Sequence, residues 1–201
     1  MGYSQSYLTV LGKNPDDVLA ILGLRRTGEC EDDPDSPCVA ANLRNGWYLI
    51  VANGAEFDIL NEAALSCLSV DCEVTTCDVE EHVMFSKATF WKAGRCMWSV
   101  THDAQQGFGH LATTGELPGT YAPIRERLLA EQQMAGGDKA DVDYLFDIPV
   151  ELAMSFSGYR YDRDTAGIPA GLFERMEFID QPLIRQPLLK RFFSKWWSPI
   201  R

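Results

Sequence analysis

CEVTTCDVEEHVMFSKATFWKAGRCMWSVTHDAQQGFGHLAT, residues 72–113, alternates apolar and polar side chains with a period of two. That period belongs to strands, because successive Cβ atoms of an extended chain point to opposite faces. It predicts strands at 72–77, 79–91, 96–103 and 108–113, joined by short turns at Gly94 and Gly107, hence an antiparallel meander. A turn of either two residues (Ala93-Gly94) or four (Lys92–Arg95) places Trp91 opposite Cys96, and the pairs Thr89–Trp98, Lys87–Val100 and Phe85–His102 follow. Val83, Phe85, Trp91, Trp98 and Val100 then share a core face. Glu80, His82, Met84, Ser86, Ala88 and Phe90 share the other face with Met97, Ser99, Thr101 and Asp103. A second turn at Ala104–Gly107 would pair Asp103 with Phe108 and Thr101 with His110.

Outward from this meander the periods change. Tyr7–Leu11 reads as a short strand, and Asn14-Pro15-Asp16-Asp17 reads as a helix start: a capping Asn, Pro at the first helical position, acids in the first turn. Val18, Ile21 and Leu22 form its apolar side and Gly23 ends it. Trp47–Val51, apolar at every position, predicts an interior strand. A helix beginning at Asp58 would align Leu60, Ala63, Ala64, Cys67 and Leu68. Neither strand–helix turn carries a glycine-rich phosphate loop, which removes the usual nucleotide-binding reading and leaves no cofactor expected. Further helices are predicted around Ile124, Leu128 and Leu129, stopped by Gly136-Gly137, and over 149–157; residues 159–180 read as irregular. The expected architecture is α+β: a mostly antiparallel sheet with helices packed on one face, formed by residues 1–180 as one domain.

Composition bounds what such a domain can do. The chain has 201 residues, 46% hydrophobic, enough for a substantial core and too apolar for disorder. No apolar run approaches the ~18 residues of a membrane span. Lys and Arg number 18 against 29 Asp and Glu, a net charge of −11, which repels phosphate backbones and argues against nucleic acid as a partner. The charge is uneven. Residues 181–201 carry Arg185, Lys190, Arg191, Lys195 and Arg201 and no acid, so the rest of the chain holds −16. This basic tail also carries Phe192, Phe193, Trp196 and Trp197, and is expected to fold back on the acidic body rather than expose them together. The densest acidic run, Glu29, Glu31, Asp32, Asp33 and Asp35 around Pro34 and Pro37, reads as a solvated loop and a candidate partner-binding loop.

The N-terminus MGYSQSYLTVLGKN has no basic segment followed by a long apolar one, so no export signal is expected. Gly2 and Ser6 formally fit a myristoylation pattern, a match too short to carry weight. Six cysteines are too few for a disulfide scaffold and are expected to be cytoplasmic thiols. Cys67 and Cys96 read as packed side chains. Cys30 and Cys38 flank the acidic loop and could bridge it only in an oxidising setting.

The polar face of the meander holds the chemistry-bearing residues. As an enzyme, Ser86 would be nucleophile, His110 base and Asp103 orienter. Ser86 and His110 would stand two strands, roughly 10 Å, apart, with no elbow to expose the hydroxyl. As a metal site, His82, Asp103 and His110 offer nitrogen and oxygen ligands without a recognised spacing. His102, on the core side, reads as a hydrogen-bonded structural imidazole. As a binding face, Glu80, His82 and Asp103 with the acidic run would orient a partner while Met and aromatic residues anchor it.

Asn45-Gly46-Trp47-Tyr48, Glu80-Glu81-His82-Val83-Met84 and Trp98-Ser99-Val100-Thr101-His102-Asp103, in a small acidic α+β chain, resemble the immunity proteins of bacterial polymorphic and contact-delivered toxin systems. The resemblance is one of type and assigns no residue a role. It implies a cytoplasmic, non-catalytic inhibitor whose partner is a cognate toxin with a basic cleft. The alternative is a small hydrolase or metal-binding protein working at His82, Asp103 and His110.

Overall fold

A computed structural model of the chain describes residues 2–54, 59–163 and 172–179. The predicted helix start at Asp58 and the basic aromatic tail 181–201 lie outside the described residues. The described chain runs β1 (Ser4–Leu11), α1 (Pro15–Leu22), β2 (Leu24–Glu31), β3 (Cys38–Asn42), β4 (Tyr48–Asn53), α2 (Glu62–Leu68), β5 (Glu73–Glu80), β6 (Phe85–Lys92), β7 (Arg95–Asp103), β8 (Ala112–Gly115), α3 (Tyr121–Met134), α4 (Asp147–Ser157) and β9 (Phe173–Phe178). The strands form one nine-stranded sheet in the order β2-β9-β3-β4-β1-β5-β6-β7-β8, every neighbouring pair antiparallel. The α+β class and an antiparallel meander over β5–β8 are as the sequence predicts, but its fourth strand, predicted at 108–113, is Ala112–Gly115, and Thr101 pairs with Ala112 rather than His110. Among the described residues no helix is long and apolar enough to cross a membrane.

Local signals act where they were read. Asn14 Oδ1 accepts the Asp16 N–H at 2.9 Å, and Gly23 closes α1 in the left-handed region at φ 66. The second helix starts later than predicted. Asn61 caps it through the N–H groups of Ala63 and Ala64, and the side chains it buries are Leu65 and Leu68. Cys67 is therefore exposed rather than packed, and Cys96, near the start of β7, is exposed as well.

The helices cover both faces of the sheet, not one. Leu128 of α3 and Ile148, Leu152 and Ala153 of α4 pack with Tyr7, Leu49, Val51, Cys77, Val79, Trp98 and Val100. Val18 and Leu19 of α1 and Leu65 and Leu68 of α2 pack with Leu8, Val10, Tyr48, Ile50, Val74 and Trp91. Adjacent residues of β1 and β4 thus enter different cores, which explains the apolar run at Trp47–Val51.

Three strands, β2, β3 and β9, were not legible as such. β2 absorbs Glu29 and Glu31 from the acidic run, and β9 lies in the segment read as irregular, inserted between β2 and β3. Within the meander, Glu81–Met84 forms the turn between β5 and β6, so the strand predicted at 79–91 is two. The Trp91–Cys96 pair is as predicted and the turn is the two-residue alternative, Ala93-Gly94, but Phe90 then faces Trp98, leaving Met97 as a bulged extra residue. Every pair beyond it slips by one: Thr89 faces Ser99, Lys87 faces Thr101, Ser86 faces His102 and Phe85 faces Asp103. Trp98 and Trp91, predicted on one face, therefore lie in different cores.

Candidate functional site

Antiparallel pairing fixes which loops meet. The start of β1, the end of β4, the start of β3, the end of β5, the start of β6 and the end of β7 all lie at one end of the sheet. The loop 32–37 enters that end through β3, and it is held there. Asn53 Nδ2 donates to the carbonyls of Pro34 at 2.5 Å and Ser36 at 2.8 Å, and Gln5 Nε2 donates to Asn53 Oδ1 at 2.8 Å. Gln5 is itself buried and accepts the Tyr159 hydroxyl at 3.2 Å.

An open cleft of about 380 Å³ lies over this pair of amides, walled by Asp33, Asp35 and Asp162 and by Tyr3, Tyr159 and Tyr161. Tyr3 and Tyr161 meet edge to face with ring centroids 5.4 Å apart. Tyr161 donates its hydroxyl to Glu81 Oε1 at 2.6 Å, and Glu81 Oε2 accepts the Tyr3 N–H at 2.9 Å. Burial, and then the Glu81 carboxylate, push the Tyr161 phenol well above its ordinary pKa, so it stays a neutral donor. The tyrosines were not singled out in the sequence, and no period or motif marks them. Only the fold brings positions 3, 159 and 161 together.

Behind the cleft, Arg160 is buried among carboxylates. Its guanidinium donates to Asp162 Oδ1 at 2.5 Å and to Asp147 Oδ1 at 2.6 Å, with Glu151 Oε1 at 3.4 Å. Burial pulls its pKa down, but Asp162 and Asp147 outweigh it and push the net value up. Burial likewise raises Asp147 against the pull of Arg160.

The predicted acidic residues divide into three groups. Glu29 and Glu31 are not free loop carboxylates: both lie on β2 and bind Arg175, at 2.7 Å each, and Glu31 also accepts from Ser36. Asp33 and Asp35 wall the cleft, with Asp32 exposed beside them. Glu80, the last residue of β5, and His82, on the β5–β6 turn, are joined to each other at 2.6 Å.

The residues considered for catalysis or metal binding do not converge. The Ser86 hydroxyl is fully buried and donates to the Phe146 carbonyl at 2.7 Å. Asp103 and His110 meet, but through the Asp103 main-chain N–H on His110 Nδ1 at 3.0 Å, while the Asp103 carboxylate accepts from Gln105 and Gln106. Among the described residues no group of three or more His, Cys, Asp or Glu side chains could hold a metal ion. The bulge instead brings Ser86 opposite His102, whose two ring nitrogens bind the His110 carbonyl at 2.7 Å and Asp143 Oδ2 at 2.9 Å. With both nitrogens and the serine hydroxyl engaged in these bonds, this serine–histidine–aspartate grouping lacks a nucleophile–base hydrogen bond. His102 is fully buried and hydrogen-bonded at both nitrogens, in keeping with its predicted place on the core side.

Comparison of the chain with protein-family models, with curated proteins and with solved structures found no match.

Proposed function

We propose that this chain is a non-catalytic binding protein of the immunity type, which neutralises a cognate toxin by covering a basic cleft of that toxin with the acidic, tyrosine-walled end of its sheet. The observation that carries the reading is the gathering of Asp33, Asp35 and Asp162 around Tyr3, Tyr159 and Tyr161 in one open cleft. Tyrosine is the residue type that most often anchors interfaces, being large and rigid with one polar tip. Carboxylates around such anchors steer a cationic partner and speed its approach. The partner is a protein rather than a nucleic acid, since a polyanion would be repelled by the same end. On this reading the chain acts in the cytoplasm and needs no cofactor.

The test is protection. The polypeptide encoded beside this chain is expressed in a bacterial host with and without it, and growth is followed. Relief of growth arrest by the wild-type chain, lost when Asp32, Asp33 and Asp35 are all changed to Lys, is the expected result. Growth arrest that the chain does not relieve, or relief that the charge reversal leaves intact, overturns the reading.

A further inference from the structure

We infer that the cleft receives one arginine side chain of the partner, its guanidinium set between the Asp33 and Asp35 carboxylates and the tyrosine rings; this rests on the binding-protein reading above. The charge in the cleft is unevenly used. Glu29 and Glu31 are neutralised by Arg175, and Asp162 by Arg160. Arg163, at the rim, turns to Glu151 at 3.7 Å. Among the described residues Asp33 and Asp35 have no ion-pair partner, which sets them apart from Asp162 as the cleft carboxylates open to a cation.

Their placement is built rather than incidental. They flank Pro34, whose carbonyl is gripped by Asn53, and Asn53 is in turn oriented by the buried amide of Gln5. A loop tied through two side-chain amides loses little further freedom when a ligand arrives, which is how preorganised sites gain affinity. The opposite wall is equally fixed, because Tyr159 and Tyr161 spend their hydroxyls on Gln5 and Glu81. Tyr159 packs into the core against Tyr7, so the exposed Tyr3 ring and the half-buried Tyr161 ring are the ones left to offer π surface, which attracts a cation. Arginine fits both walls at once. Its planar guanidinium stacks on an aromatic ring while its edge meets carboxylates in bidentate fashion, and it sheds water more readily than an ammonium.

The probe is the blocked tripeptide acetyl-Gly-Arg-Gly-amide, titrated into the isotope-labelled full chain at low salt and followed by amide chemical shifts. The expected result is saturable shifts centred on Asp33, Asp35 and Tyr161. About tenfold weakening is expected with citrulline in place of arginine, and again in the Asp33→Asn/Asp35→Asn variant. Equal binding of the citrulline peptide, or shifts centred on Glu29 and Glu174, overturns the inference. So does binding that appears only after Arg185, Lys190, Arg191, Lys195 and Arg201 are replaced by Gln, which would give the cleft to the chain's own cations. The probe needs no toxin, so the two tests fail separately. Protection without peptide binding removes the arginine site and leaves the binding reading standing. Peptide binding without protection leaves a cation cleft whose partner is not a toxin.

Discussion

His102 and Asp143 form a buried pair, Nε2 to Oδ2 at 2.9 Å, that ties the end of β7 to the turn before α4. The same Asp143 uses its other oxygen on the N–H groups of Leu145 and Phe146, so the pair also organises the entry to the helix. Both His102 nitrogens face oxygen acceptors, an arrangement satisfied in full only by the doubly protonated ring.

A pH dependence follows from this pair. Burial lowers the His102 pKa, but Asp143 and the His110 carbonyl outweigh it and raise the net value above 6.5. A raised histidine contributes stability that is fully present below the unfolded pKa and is lost as pH rises through the folded one. Urea denaturation should show stability falling as pH increases above about 6.5. His102→Gln should lose about 2 kcal/mol at pH 6 and flatten the decline. An unchanged pH profile in the variant would place the dependence elsewhere.

Arg160→Met should behave in the opposite sense. Removing the cation leaves Asp147 and Asp162 facing each other without compensation, at a cost of roughly 3–5 kcal/mol near neutrality. Carboxyls whose folded pKa is raised destabilise the fold above their unfolded value and cease to do so as pH falls through the raised one. The stability gap between variant and wild type should therefore narrow from pH 7 to pH 5, as read by thermal unfolding.

Thiol chemistry should split the cysteines in half. Cys30, Cys67 and Cys96 are exposed, whereas Cys38, Cys72 and Cys77 are buried. Burial pushes Cys38 and Cys77 up to about 12 and Cys72 up to about 11. A colorimetric disulfide reagent should label the exposed three in the native protein and the remainder only in denaturant. Cys30 and Cys38 are separated by β9, with Glu174 facing both Cys30 and Ala40, so mild oxidation should not join them.

Association with the proposed partner should depend on salt through the cleft loop. Changing Asp32, Asp33 and Asp35 to Lys should slow the association rate by about tenfold or more at low ionic strength, with a smaller loss at high salt. Changing Glu29 to Gln should matter less, because Arg175 already neutralises it. Stopped-flow mixing across a salt series measures both.

Much of the local structure could be read in advance. The caps at Asn14 and Gly23, the interior strand at Trp47–Val51 and the turn at Ala93-Gly94 depend on a few contiguous residues, and each is found where the chemistry of those residues puts it. The failures are non-local. Nothing in the hairpin sequence announces that Met97 bulges, a feature seen beside Gly115, which adopts φ 76 and leaves space for the Met97 carbonyl. One inserted residue was enough to reverse the faces, giving His102 the neighbour that had been assigned to Thr101's side of the sheet. Likewise Phe173–Phe178 carries charge at alternate and adjacent positions, and only insertion between β2 and β3 makes it a strand.

From the sequence alone came the α+β class, the boundaries of α1 set by Asn14 and Gly23, the acidic balance and the concentration of acids near Pro34. These are sums or short-range effects, and a linear chain contains them. The tertiary structure decided which carboxylates are neutralised, that Asp33 and Asp35 of the cleft have no ion-pair partner among the described residues, and that Tyr3 should meet Tyr161. Those outcomes depend on strand order and register, which are settled by burying both faces of a sheet at once; residues about 150 positions apart have no earlier means of recognising each other.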